Sequence, residues 1–203
     1  MLKDTGERVI PKEMDPMNNL LLEHIARYHF SELYVHGRVL DLACGVGYGS
    51  AHIAKKRKKH IDEMIGIDIC KDTIQYAIQN YYHPLLEFQV GDILHADWVT
   101  EIGQFDTILS FETIEHIPDE KIFMSHIHKL LKPGGTLILS TPFGKGISYP
   151  SGSPFHYFQM TAEEFKGLFK DFSEVEIFYQ NGVTIEPPRN GVYYPLGVAV
   201  CQK

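Results

Sequence analysis

Along this chain, apolar runs of six or seven residues alternate with stretches in which apolar side chains recur every three or four positions. The runs predict strands near 38–43, 64–69, 85–90, 105–111 and 134–140, and the periodic stretches predict helices near 49–58, 71–80 and 120–132. Arg38 to Ala43 is mostly apolar with little alternation, the signature of a strand buried on both faces of a parallel sheet. Gly134 and Gly135 are expected to stop the helix before the fifth strand. Thr161, with Glu164 three residues on in "TAEEF", reads as a capping box that starts a further helix. Two more strands fall near 173–180 and 196–202, and "NNLLLEHIARYHFSELYV" within residues 1–37 has helical periodicity. The alternation argues for one α/β domain over residues 1–203, built on a doubly wound parallel sheet.

Composition narrows the class. Apolar residues at 44% and charged residues at 22% are ordinary for a globular chain, and 203 residues suffice for one sizeable core. No apolar run approaches the ~20 residues that span a bilayer, and no signal peptide opens the chain. Cys44, Cys70 and Cys201 have no metal or disulfide spacing; Cys44 and Cys70 at strand ends suggest buried thiols in a reducing cytoplasm. A net charge of −7 and a pI near 5.8 argue against a nucleic-acid partner. The one basic run, Lys55 to Lys59, falls at a predicted helix C-terminus, where cations complement the dipole.

The densest chemical signal is "VLDLACGVGYGS", residues 39–50: an apolar strand, then a glycine-rich turn into a helix. Gly45, Gly47 and Gly49 remove side chains where the backbone turns and a ligand approaches, so the loop suits a nucleotide-like ligand at a helix N-terminus. Asp68 ends the next strand nineteen residues after Gly49, where a carboxylate can accept both ribose hydroxyls. A dinucleotide dehydrogenase shares that spacing. Asp41 separates the two, because its carboxylate would repel a pyrophosphate and attract a ligand carrying sulfonium and ammonium charges; it could equally cap the loop's own amides. Asp92 in "VGDI" is placed to meet an adenine edge.

Five ordered segments, "LDLACGVGYGS" (40–50), "GIDI" (66–69), "GDI" (91–93), "FDTILSFETIEHI" (105–117) and "LLKPGGTLILSTP" (130–142), make the chain resemble a class I S-adenosylmethionine-dependent methyltransferase over nearly its whole length. The resemblance implies a Rossmann-like seven-stranded sheet, mostly parallel, with its C-terminal strands antiparallel at one edge and an N-terminal helical lid over the cofactor. It assigns Gly45, Gly47 and Gly49 to the methionine part of S-adenosylmethionine, Asp68 and the adjoining Ile69 to the ribose end, Asp92 with Ile93 to adenine, and Phe111 to the neighbourhood of the methyl, leaving S-adenosylhomocysteine as product. In the lid, His24, Arg27 and Tyr28 share a face. Arg27 is expected either to reach the cofactor carboxylate or to form an exposed salt bridge.

Beyond Phe111, Glu112, Glu115 and His116 fall on one face if "FETIEHI" turns helically. Two carboxylates and an imidazole suit a divalent cation such as Mg²⁺ or Mn²⁺. The Glu-x-x-Glu-His pattern resembles that of metal-dependent O-methyltransferases, among them small-RNA 2′-O-methyltransferases and ubiquinone-pathway catechol-type enzymes. In the RNA enzymes a histidine before a "T-x-E-E-F"-like helix completes the site, and His156 matches that placement. The alternative is a metal-free site with His116 as general base or as packing. His29, His36, His60, His83, His95, His126 and His128 default to surface or packing roles. Pro142 to Met160, at the carboxyl end of strand five, is where open α/β sheets place substrate, and residues 186–195 are a candidate further wall of the same pocket. Tyr149, Phe155, Tyr157 and Phe158 are either a stacking wall or a small core beneath that connection. The opening "TGERVIP" and the segments after it resemble bacterial methyltransferases of glycan synthesis, which points to a carbohydrate-like small-molecule acceptor handled by a monomer or homodimer. Rival readings are a catechol-like acceptor, an RNA 2′-hydroxyl, and a non-catalytic binder of S-adenosylmethionine.

Overall fold

The protein is described as a computed structural model over residues 8–203; the first seven residues of the 1–37 cap, including the start of "TGERVIP", lie outside the described residues. In chain order the elements are α1 (Asn19–Ser31), β1 (Gly37–Leu42), α2 (Tyr48–Lys56), β2 (Ile61–Asp68), α3 (Lys71–Asn80), β3 (Leu86–Val90), α4 (Ala96–Glu101), β4 (Phe105–Phe111), a 3-10 turn (Ile114–His116), α5 (Glu120–Leu130), β5 (Leu131–Pro142), α6 (Ala162–Gly167), β6 (Glu174–Asn181), β7 (Thr184–Glu186) and β8 (Leu196–Gln202). One sheet takes all eight strands, in the order β3-β2-β1-β4-β5-β8-β6-β7. The first five strands run parallel. β8 pairs antiparallel with β5, and β6 with β8.

Every predicted strand is present, and the sheet has one strand more than the seven expected. The addition is β7, a three-residue partner of β6 across the turn Asn181–Thr184, too short to show a period. The helix stop at Gly134 and Gly135 is corrected. α5 ends at Leu130, where Leu131 turns to extended backbone and enters β5. Gly134, at φ 76°, sits instead in a four-residue bulge between the Phe105–Leu131 and Thr107–Thr136 pairs.

The two faces of the sheet bury separate apolar sets. Val39, Met64, Leu109, Ile138 and Val198 pack with Tyr28 of α1 and Ile53 of α2. On the other face, Leu40, Ile65, Ile108, Leu137 and Ala199 pack with Phe123 and Ile127 of α5 and Phe165 of α6. Sequence neighbours such as Val39 and Leu40 thus serve opposite faces, which is why β1 shows no alternation. Each fully buried large side chain contributes about 1.5–3 kcal/mol. Cys44 and Cys201 are buried, whereas Cys70 is only half-buried at the start of α3. No helix among the described residues is long and apolar enough to cross a membrane.

Candidate active site

β1 and β4 are adjacent, yet the chain leaves them toward opposite edges of the sheet, so a crevice opens beyond their carboxyl ends. The backbone is strained there and at no other non-glycine position among the described residues. Ala43, just past β1, has φ 59°, and Glu112, just past β4, has φ 50°. Such conformations cost on the order of 1–3 kcal/mol and cluster where geometry serves a ligand.

The three loop glycines do different jobs. Gly45, at φ 56°, has nothing within 4 Å of where a Cβ would lie, so it faces open space. Gly47, at φ 83°, is the left-handed N-cap of α2, and a Cβ there would meet the Phe88 ring at 2.5 Å. A Cβ on Gly49 would lie 1.9 Å from Cζ of Tyr28. Gly45 alone faces open space; at Gly47 and Gly49 the bare backbone makes room for Phe88 and Tyr28.

Asp68, not Asp41, holds the loop. The amide of Gly45 donates to Asp68 Oδ2 at 3.1 Å, and that of Cys70 donates to Oδ1 at 2.8 Å. Burial pushes the Asp68 carboxyl up, against those two N–H groups and the Arg8 guanidinium. Asp41 is buried and accepts from the hydroxyls of Ser50 at 2.5 Å and Tyr28 at 3.1 Å, which corrects the expectation that it caps loop amides. Burial raises it to about 7, with the Asp68 charge adding to the rise and the two hydroxyls opposing it.

Next to Asp68 a cleft of about 440 Å³ is lined by Ile69, Val90, Gly91, Asp92, His95 and Trp98, among others. Ile69 is 70% exposed at its mouth. Asp92 Oδ1 accepts from the Leu94 amide. The Ile93 side chain points into the core, not the cleft, and its carbonyl accepts from His126 Nδ1 at 2.6 Å. His126 is therefore a packing histidine.

Helix α1 closes the other side. Tyr28 stacks edge-on against Phe111 (5.1 Å between ring centres) and Tyr48 (5.7 Å). Arg27 is 1% exposed and donates through Nη1 to Gln180 at 2.8 Å, so the exposed salt bridge is corrected. Its Nε has no hydrogen-bond partner among the described residues. A buried guanidinium with one neutral partner is a ready receptor for an anion. Arg8 and Gln180 escape sequence reasoning, because Arg8 sits in "TGERVIP" with no role attached to it and Gln180 lies 153 residues from its partner.

Beyond Phe111 the 3-10 turn brings Glu115, His116 and His156 together. One ligand atom from each lies within 4.8 Å of the others. The His116 and His156 rings meet edge-on at 4.7 Å. His116 Nδ1 donates to the Phe155 carbonyl at 2.9 Å, which in the neutral ring leaves the lone pair on Nε2. Tyr157 N donates to the Glu115 carbonyl, so the 142–160 connection is sewn to the turn at two points. Glu115 is 1% exposed; Oε2 accepts from Thr141, and Oε1 has no partner among the described residues. Burial and then the Glu112 charge push its carboxyl well above the usual range. Glu112 stands outside the three-atom group, its Oε1 accepting from Ser140 at 2.9 Å. A buried carboxylate beside two imidazoles, with one oxygen unpartnered among the described residues, fits a divalent cation. Phe158 is buried, while Tyr149, Phe155 and Tyr157 are exposed along the same connection.

The family described as Methyltransferase domain matches residues 34–178. A probable S-adenosylmethionine-dependent methyltransferase of Mycolicibacterium smegmatis is 30% identical over 197 residues, covering 92% of this chain and 73% of that one. A ubiquinone biosynthesis O-methyltransferase of Psychrobacter cryohalolentis is 30% identical over 146 residues, 68% of this chain and 56% of that one. A phosphoethanolamine N-methyltransferase of Zea mays is 34% identical over 105 residues, 51% of this chain and 20% of that one. The chain thus spans less than two thirds of several relatives. Among solved structures, the methyltransferase domain of bacterial CtHen1-CN superposes with a TM-score of 0.67 at 18% identity, covering 92% of this chain and 100% of that one. A SAM-dependent methyltransferase from Archaeoglobus fulgidus gives 0.65 at 17%, covering 92% and 95%. These likenesses show the fold.

Proposed function

The chain belongs to the methyltransferase-domain family and is an S-adenosylmethionine-dependent methyltransferase, and from that premise we propose that it O-methylates a sugar or sugar-containing metabolite with help from a divalent cation. The observation that carries the proposal is the convergence of Glu115, His116 and His156 just past Phe111, at the crevice between β1 and β4. Asp68 receives the ribose of the bound cofactor, the cleft by Ile69 and Asp92 its adenine, and the bare surface at Gly45 its methionine part. Arg27, buried beside Gln180, suits the cofactor carboxylate.

The cofactor supplies an electrophilic methyl group and the cation supplies Lewis acidity. This chain's own residues do the rest. Glu115, His116 and His156 would hold the cation, with Glu112 adding negative charge beside them. The Phe155 carbonyl fixes the His116 ring so that Nε2 faces its task as ligand or, in a cation-free site, as proton acceptor. Tyr149, Phe155 and Tyr157 offer ring faces on which a sugar stacks. A hydroxyl has too high a pKa to react unaided; a cation held here would supply Lewis acidity, and in a cation-free site His116 Nε2 would take the hydroxyl proton as the oxygen accepts the methyl.

The exposed aromatic rim and the ubiquinone-pathway relative favour a second reading, a catechol-like acceptor, which also presents adjacent hydroxyls. The acidic net charge supports neither nucleic acid nor any polyanion as partner, and the cytoplasm is the proposed compartment. Release of S-adenosylhomocysteine across a panel of sugars, nucleotide sugars and catechols decides between them. The expected result is turnover with a carbohydrate diol that stops in EDTA and returns with Mn²⁺. Full turnover in chelator would end the metal reading, turnover with catechols alone would move the acceptor, and cofactor binding without any product would leave a binding protein.

A further inference from the structure

A second cluster of metal-ligating groups lies on the outer seam between α1 and α2, away from Glu115. His29 Nδ1 stands 2.9 Å from Glu32 Oε1, and His52 Nε2 stands 2.6 Å from the same oxygen. The two imidazoles meet edge-on with 4.4 Å between ring centres. His29 and Glu32 come from the last turn and C-cap of α1, while His52 lies in α2, the helix that leads out of the glycine loop. All three ligand atoms fall within 4.8 Å of one another.

One carboxylate oxygen shared by two imidazoles is more than a surface ion pair needs. An ordinary pair would use one histidine and leave the second ring to solvent. Here two helices converge three donors on one point, and the donor types are informative. Two imidazole nitrogens with a single carboxylate oxygen match the borderline ligand preference of zinc and its transition-metal neighbours, whereas Mg²⁺ and Ca²⁺ favour all-oxygen shells. A zinc ion about 2.1 Å from each ligand sets the ligand atoms about 3.4 Å apart. The carboxylate and rings need only rotate outward slightly to reach that spacing. His29 is exposed, so a fourth position stays open to water on the solvent side.

We propose that His29, Glu32 and His52 form a zinc-type metal site that staples α1 to α2. The ion would replace the two shared protons with one divalent centre and fix the cap helix over the loop. The claim stands independently of the acceptor proposed above, because it concerns metal binding and helix docking alone.

The test is calorimetric titration of the full chain with ZnCl₂, with thermal melting alongside. The Glu115 cluster is silenced first with His116→Ala and His156→Ala, so that any remaining site is the second one. That variant is expected to bind one equivalent of Zn²⁺ and to melt higher with it. Adding His29→Gln and His52→Gln should raise the dissociation constant at least tenfold and abolish the melting shift, since even the supporting partners of metal ligands cost about 10- to 100-fold. Unchanged affinity after both substitutions overturns the site, as does the absence of any zinc binding in the first variant. If the four-site variant does not fold, His29→Gln with His52→Gln in the otherwise unaltered chain must lower the zinc stoichiometry by one. No change there overturns the proposal equally.

Discussion

Asp41 is a carboxylate sealed inside the fold, bonded to the hydroxyls of Tyr28 and Ser50 and to no cation among the described residues. Its carboxyl, raised to about 7 from an ordinary 3.8, stays protonated in the folded state while the unfolded chain has already released its proton. Stability therefore falls as pH rises between about 4 and 7, and the cost is fully present above that window. Its upper bound is about 4 kcal/mol. Asp41→Asn should melt higher than the parent at pH 8 and show no advantage at pH 4; the reverse order would remove burial as the cause. A cationic cofactor would favour the ionised form, so binding at pH 6 should release a proton, measurable by calorimetry in buffers of different ionisation heat. The glycines divide in the same spirit. Gly45→Ala should cost about 1–2 kcal/mol for its left-handed backbone while weakening cofactor binding. Gly49→Ala should destabilise the fold by about 1–3 kcal/mol through overpacking against Tyr28. The loop was legible in the sequence, but which glycine serves which purpose was not. That depends on Tyr28 and Phe88, whose arrival at the loop no local pattern records.

Among the elements, α1 and α6 show what tethers the site. Arg27 joins α1 to β6 through Gln180, and Gln180 Nε2 also donates to the Glu23 carbonyl. Arg27→Met keeps the stem but leaves the buried Gln180 Oε1 without its donor, so folding should weaken by no more than about 1–3 kcal/mol. Cofactor affinity should fall at least tenfold. A large loss of stability with affinity intact would make Arg27 structural only. At α6 the capping box read from "TAEEF" is present, with Thr161 and Glu164 bonded reciprocally. Glu164 does one thing its motif did not announce. Its carboxylate also accepts from the Ile147 amide at 3.2 Å, anchoring the long connection that carries His156. Glu164→Ala should cost on the order of 1–2 kcal/mol and raise KM for the acceptor more than it lowers kcat. Boundaries are legible where the apolar period is clear, as at Lys71–Asn80, even though Cys70 gives that helix no side-chain cap. They failed at Leu131, where a helix passes straight into a strand without a breaker.

At the scale of the molecule, the five parallel strands were legible because each is an apolar run followed by a chemically marked turn. The antiparallel edge was legible only in part, since β7 is three residues long and its pairing comes from the turn before it. Both strained residues sit at the strand reversal, so the crevice is the least relaxed part of the molecule and the part a ligand should settle most. S-adenosylmethionine at about a hundred times its dissociation constant should add about 2.7 kcal/mol, a rise in Tm on the order of several degrees. NAD should give none. Stabilisation by NAD instead would contradict the family assignment. The contact of Tyr28 with Gly49 reaches further than one protein. With no room for even a methyl group between them, the two positions cannot drift separately over evolutionary time. Lineages that acquire a side chain at 49 are expected to have lost the ring at 28, and comparing descendant sequences would expose that paired substitution.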